Sequence, residues 1–198
     1  MITKTQIEIM KIFTSKIDRK FSINEISKEL KKPYALIHRS IQELIKNKLI
    51  LIDEKKLLSL NYNDNLAELS FIESIRTKNR LEGERSISLF INDCFKGLHE
   101  EFFTLLIFGS FVEEKKFNDI DIIIILDNQS NLEQTEKIIK NIASNFSFKI
   151  DLHVLSIEGA REMFSKREQI NILNESLNKH LIAFGAENYY RILLNARR

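Results

Sequence analysis

Five positions in the second half of the chain combine residue types that do chemistry together. An apolar run, Phe102-Phe103-Thr104-Leu105-Leu106-Ile107-Phe108, ends in Gly109-Ser110, and after eight residues Asp119-Ile120-Asp121 opens a second apolar run through Leu126. Side chains alternate across a strand, so Asp119 and Asp121 share a face and Ile120 takes the other. Paired carboxylates repel unless a cation lies between them, and hard oxygen donors of this kind suit magnesium, which also binds substrate phosphates. A third segment, residues 148–155, alternates cleanly: Ile150, Leu152 and Val154 on one face, Lys149, Asp151 and His153 on the other. Beside the Asp119 strand it adds Asp151 to the cluster. The four histidines form no metal constellation, and the single Cys94 excludes an intrachain disulfide; it is expected as a small buried helix residue.

The elements that must position these groups are legible around them. A strand, a short helix or loop and a second strand carry the first four positions. Leu132, Ile138, Ile139 and Ile142 mark a helix suited to a crossover between parallel strands. Residues 157–198 are expected as helices, with Gly185 ending or bending one of them and Tyr189 or Tyr190 available either for packing or for stacking on a base. Upstream, residues 61–101 are helical, with Leu66, Leu69, Ile72 and Ile75 and then Ile87, Phe90, Ile91, Phe95 and Leu98 at helical spacing. The first of these runs is either a dimerising helix or a packing one.

The beginning of the chain follows a different plan. Residues 5–15 are apolar at helical spacing, and Ser22 with Glu25 forms a capping box for a helix containing Ile23, Ile26 and Leu30. Lys31-Lys32-Pro33 interrupts, and a third helix, about 34–47, is expected to bury Ile37, Ile41, Leu44 and Ile45. Leu49 to Ile52 and Leu57 to Leu60 flank a charged hairpin tip, Asp53-Glu54-Lys55-Lys56. Residues 21–60 resemble a winged helix-turn-helix. That resemblance implies a third helix lying in the major groove of double-stranded DNA, with Tyr34, His38, Arg39, Gln42 and Lys46 on its outward face and Lys55 and Lys56 near backbone phosphates. Residues 1–60 hold 13 Lys and Arg against 7 Asp and Glu, while residues 61–198 hold 17 against 21, so the basic charge sits where a nucleic-acid partner is expected.

Phe108-Gly109-Ser110, Asp119-Ile120-Asp121-Ile122 and Asp151 together resemble the signature of the nucleotidyltransferase superfamily, in particular its minimal members related to the kanamycin nucleotidyltransferases and the DNA polymerase β palm. The resemblance covers about residues 84–160. It implies two magnesium ions held by Asp119, Asp121 and Asp151, which are at once the catalytic and the metal residues. It further implies NTP, ATP foremost, as substrate, bound through Gly109, Ser110 and Asn118, and transfer of a nucleoside monophosphate to an acceptor hydroxyl. The chain departs from the minimal pattern in a spacer two residues shorter, with Glu113 where a base often stands. Lys115 or Lys116 is a candidate replacement for that base, and Asn118 for the usual serine.

The expected fold class is therefore α+β: a winged helix-turn-helix DNA-binding domain over residues 1–61, a helical connector over 62–83, and a polymerase β-like nucleotidyltransferase domain over 84–198 with a C-terminal helical part. With 198 residues, the chain is long enough for two cores. The start runs into a polar amphipathic segment rather than a secretory signal. No apolar run approaches the roughly 18–20 residues a membrane span needs, so no membrane partner is expected and the cytoplasm is the expected compartment. The functional expectation is a DNA-binding, regulatory nucleotidyltransferase. Two alternatives stay open: a non-catalytic transcriptional regulator that uses this fold to sense nucleotide or to form a homodimer, and an antitoxin that nucleotidylates a toxin protein.

Overall fold

A computed structural model of the chain describes residues 2–98, 100–114, 117, 119–127 and 129–198. It divides into two compact units, residues 1–72 and 73–198.

The first unit runs α1 (Lys4–Ser15), α2 (Ile23–Leu30), α3 (Tyr34–Lys46), then the antiparallel strands β1 (Ile50–Ile52) and β2 (Leu58–Leu60) in register Ile50↔Leu60. Local chemistry sets each boundary. Thr3 with Gln6 and Ser22 with Glu25 form capping boxes at the starts of α1 and α2, and such a cap is worth about 1 kcal/mol. Lys31 adopts a left-handed conformation that ends α2, and Pro33 precedes α3. At the hairpin tip Asp53 Oδ1 accepts from the backbone N–H groups of Lys55 and Leu57. Met10, Phe13, Phe21, Ile26, Ile37, Ile41 and Leu58 fill the core.

Helix α4 (Leu66–Leu81) contains the division between the units. The second unit continues with α5 (Arg85–Gly97), β3 (Phe103–Phe108), the single turn α6 (Ser110–Glu113), β4 (Asp119–Leu126), α7 (Leu132–Ala143), β5 (Lys149–Ser156), α8 (Ile157–Ser165), α9 (Ile172–Ser176), β6 (His180–Phe184) and α10 (Ala186–Arg197). The sheet order is β5-β4-β3-β6, with β3 antiparallel to β4 and β6, and β4 parallel to β5. Helix α7 makes the crossover that a parallel pair requires. Strand β4 is internal and buried on both faces from Ile122 to Leu126, which is why it lacks polar alternation beyond Asp121. One face of the sheet packs Ile120, Ile122, Ile124, Leu105 and Ile107 with Phe90 and Ile91 of α5 and Ile139 of α7. Helices α8 and α10 pack against the other. Among the described residues no helix is long and apolar enough to cross a membrane.

One expectation for the C-terminal part is corrected, and one open alternative is decided. Residues 180–184, read as part of a helix, form the strand β6. His180, Leu181 and Ile182 are all buried, so the segment has no period of two to betray it. Gly185, at φ +75°, turns the chain from that strand into α10; a side chain there would overlap the Phe103 carbonyl. Tyr189 and Tyr190 are both completely buried, so neither ring is available to stack on a base.

Candidate active site

The two aspartates of β4 reach the site because Ile120 is locked into the core on the opposite face, at 0% exposure. The parallel register pairs Asp121 with Asp151, and the antiparallel register pairs Asp121 with Phe108, the residue before Gly109. Gly109, Asp121 and Asp151 therefore meet at one end of the sheet. Together with Phe108 they line a cavity of about 470 Å³ that is also lined by Asn171, Ile172 and Glu175 around α9 and by Lys179 just before β6.

Gly109 has φ +73°, a conformation that L side chains rarely adopt, and a Cβ at this position would overlap Oδ2 of Asp121. The glycine thus both makes the turn and leaves room for the carboxylate. The turn is buttressed from behind by Arg80. Its Nε donates to the Phe111 carbonyl at 2.7 Å, its Nη2 donates to the Glu114 carbonyl at 2.9 Å, and its guanidinium lies 3.9 Å over the Phe111 ring.

Electrostatics mark Asp121 as the strained member. Burial first, and then the charges of Asp119 and Asp151, raise its carboxyl above the ordinary value, while His153 and Lys179 oppose the shift. His153 Nε2 lies 3.4 Å from Asp151 Oδ1, so this histidine neighbours a site carboxylate.

The sequence-derived residues divide as follows. Gly109, Asp121 and Asp151 line one cavity; Asp119 is exposed beside them and Ser110 opens α6. Asn118, Lys115 and Lys116 lie outside the described residues. Among the described residues no three His, Cys, Asp or Glu side chains are grouped so that they could hold a metal ion. The chemistry of the donor set nonetheless fits a hard divalent cation: the three carboxylates are set by register at one sheet end, and a cation would relieve the repulsion that raises Asp121.

Lys179 escaped the sequence analysis. Its Nζ stands 3.9 Å from a Glu113 carboxylate oxygen and 3.6 Å from one of Glu114. The acid at position 113 thus has a basic counterpart supplied from a distant part of the chain. The sequence offered only the short apolar run Leu181 to Phe184, which has no strand alternation to mark it. Taken as a strand pairing with β3, it puts Lys179 next to the Gly109 end, since Phe108 is opposite His180.

The outward face of α3 is a separate candidate site. Tyr34, His38, Arg39, Gln42 and Lys46 are exposed, while Ile37, Ser40, Ile41 and Leu44 are buried; Lys55 and Lys56 are exposed at the hairpin. The rings of Tyr34 and His38 stack at 5.9 Å.

Residues 91–176 match the family model described as Polymerase beta, Nucleotidyltransferase. The matched segment contains Gly109, Ser110, Asp119, Asp121 and Asp151 and ends before Lys179. No curated protein and no solved structure gives a match.

Proposed function

We infer that the second unit is a nucleotidyltransferase that moves a nucleoside monophosphate from NTP, ATP foremost, to an acceptor hydroxyl. The observation that carries this inference is the meeting of Gly109, Asp121, Asp151 and Lys179 around one cavity, within and next to a segment that matches the nucleotidyltransferase family model. The acceptor oxygen bonds to the α-phosphorus, the bond to the β-phosphate breaks, and pyrophosphate leaves.

Each residue has a part that its position allows. Gly109 lets the triphosphate approach the backbone, and the Ser110 hydroxyl donates to a phosphate oxygen. Lys179 sets its positive charge against the phosphates, in the place where Glu113 could not. Asp151, an exposed carboxylate in the lining of the cavity, accepts the hydrogen bond of the acceptor hydroxyl and orients it. Asp119, Asp121 and Asp151 are the residues that would hold magnesium, which when bound supplies charge to the phosphates and lowers the pKa of the acceptor hydroxyl.

For the first unit the inference is a winged helix-turn-helix that binds double-stranded DNA, with Tyr34, His38, Arg39, Gln42, Lys46, Lys55 and Lys56 as its contacts. It is supported by the exposed polar side chains that α3 carries at Tyr34, His38, Arg39, Gln42 and Lys46 and by two exposed hairpin lysines. The joined activity would be regulatory.

Pyrophosphate release in magnesium, with a cell extract as the source of acceptors, tests the catalytic part. The expected result is release by the wild type, roughly tenfold weaker NTP affinity in Lys179→Ala, and loss in Asp119→Ala/Asp121→Ala. Release no greater than that of the double variant, together with nucleotide-dependent DNA binding, would favour the non-catalytic sensor instead.

A further inference from the structure

We propose that the second unit carries a second ligand site, at the far end of the sheet from Asp121 and Asp151, that binds a small molecule made of a flat ring bearing an anionic group. It does not rest on the nucleotidyltransferase assignment.

The site is a cleft of about 260 Å³ between the start of β3, the end of β4 and helices α8 and α10. Strands rise roughly 3.3 Å per residue, so Asp127 lies ~20 Å along the sheet from Asp121. A molecule held here does not reach the candidate catalytic carboxylates.

Two arginines from different helices, Arg161 of α8 and Arg191 of α10, line this cleft. Both are exposed, and neither forms an ion pair among the described residues. The lining sets two guanidiniums against one carboxylate, that of Asp127, leaving net positive charge in a confined space. The planar guanidinium fork matches a carboxylate or phosphate, and two forks around one anion add specificity as well as attraction. Asn188 and Asn195 flank Arg191 at one-turn intervals on the same face of α10, which supplies amide donors and acceptors to the same cleft. Phe102 contributes an aromatic wall. Its side chain is 65% exposed and makes no ring contact with another described aromatic residue, so its face is open to a flat partner.

The combination selects among ligands. Inorganic phosphate would use the arginines and leave the apolar wall unused, and an uncharged ring would do the reverse. A polyanionic strand would meet Asp127 in the lining and would exceed a cleft with room for about one ring system. A nucleoside monophosphate or an aromatic carboxylate satisfies the arginines, the amides and Phe102 together.

Calorimetric titration of the full chain in EDTA with the four nucleoside monophosphates, benzoate, inorganic phosphate and a single-stranded oligonucleotide tests the proposal. At least one ring-bearing anion is expected to bind more tightly than phosphate, with a loss of tenfold or more in Arg161→Ala/Arg191→Ala. Arg161→Lys, which keeps the charge but not the fork, and Phe102→Ala should each weaken binding severalfold, and Asp119→Ala/Asp121→Ala should leave it unchanged. All three substituted cleft residues are exposed, and circular dichroism on each variant confirms that the fold persists. Binding of a monophosphate assigns a nucleotide-type ligand and binding of benzoate alone a carboxylate. The proposal is overturned if no ring-bearing anion binds, if phosphate or the oligonucleotide binds as tightly, or if binding is lost through the aspartates rather than the arginines.

Discussion

At Asp121, burial and two neighbouring carboxylates push in the same direction, toward the protonated acid. The sign of the consequence follows from linkage. A carboxyl whose folded pKa lies above its unfolded value costs stability at neutral pH, and the cost disappears as pH falls through the folded value. Without divalent cations, Asp121→Asn should therefore melt no lower than the wild type. Magnesium should raise the wild-type melting temperature by about 2–4 °C while leaving Asp121→Asn unmoved; differential scanning calorimetry reads both effects, and an equal shift in the two proteins would remove the case for a cation at this carboxylate. Asp119, Asp121 and Asp151 were legible in the sequence because strand alternation decides which face a residue takes, and Ile120 anchors the phase. Lys179 was not, because its place depends on the pairing of β6 with β3, a contact of long sequence separation. For the tandem Tyr189-Tyr190, packing and base stacking both stayed open in the sequence, and their complete burial decides for packing.

Among the elements, β6 depends on a buried polar group of α4. Glu73 is fully buried: Arg76 Nη1 lies 2.6 Å from its Oε2, and the Tyr190 hydroxyl donates to its Oε1 at 2.8 Å. Arg76 Nη2 in turn donates to the His180 carbonyl at 2.6 Å, and Thr77 Oγ1 to the Ile182 carbonyl at 2.9 Å. Helix α4 therefore fixes the strand that begins immediately after Lys179. Burial alone would raise the Glu73 carboxyl, but Arg76, His180 and the Tyr190 hydroxyl outweigh it and hold it below the usual carboxylate range. Here the linkage sign is opposite to that of Asp121: the stabilisation is present above the unfolded pKa of about 4.3 and is lost as pH falls through the depressed folded value. Denaturant titrations should show the stability gap between wild type and Glu73→Gln closing as pH drops below ~4.3. A gap that stays constant down to acid unfolding would contradict the assignment. Glu73→Ala, which strands a buried guanidinium, should cost roughly 3–5 kcal/mol. Neither β6 nor its tether was visible in the sequence: the strand is buried without alternation, and Glu73 and Tyr190 stand 117 positions apart. In the first unit α2 was legible because its cap is local, three residues from Ser22 to Glu25, whereas α1 was read from apolar spacing alone and its Thr3–Gln6 cap went unread.

For the whole molecule, a formal charge of +2 at pH 7 conceals opposite demands in the two halves of the sequence. The basic half presents exposed Arg39, Lys46, Lys55 and Lys56, and the acidic half contains the three aspartates of the candidate site. If the first unit binds DNA as inferred, affinity must fall steeply with salt, because neutralised phosphates release counterions. Fluorescence anisotropy between 50 and 200 mM salt should show the slope of log affinity against log salt reduced by about two in Lys55→Ala/Lys56→Ala. Arg39→Ala should weaken discrimination between sequences, at about 1–3 kcal/mol for a base contact. Affinity unchanged by either variant would rule out this face. The chemistry of the second unit is tested most directly by supplying the full chain with magnesium, an acceptor-containing extract, and NTP labelled in parallel at the α- or the γ-phosphate. The α-label should become covalently attached to an acceptor and the γ-label should leave as pyrophosphate, with both signals lost in Asp119→Ala/Asp121→Ala. Attachment of the γ-label, or α-label incorporation no greater than in the double variant, would contradict nucleotidyl transfer.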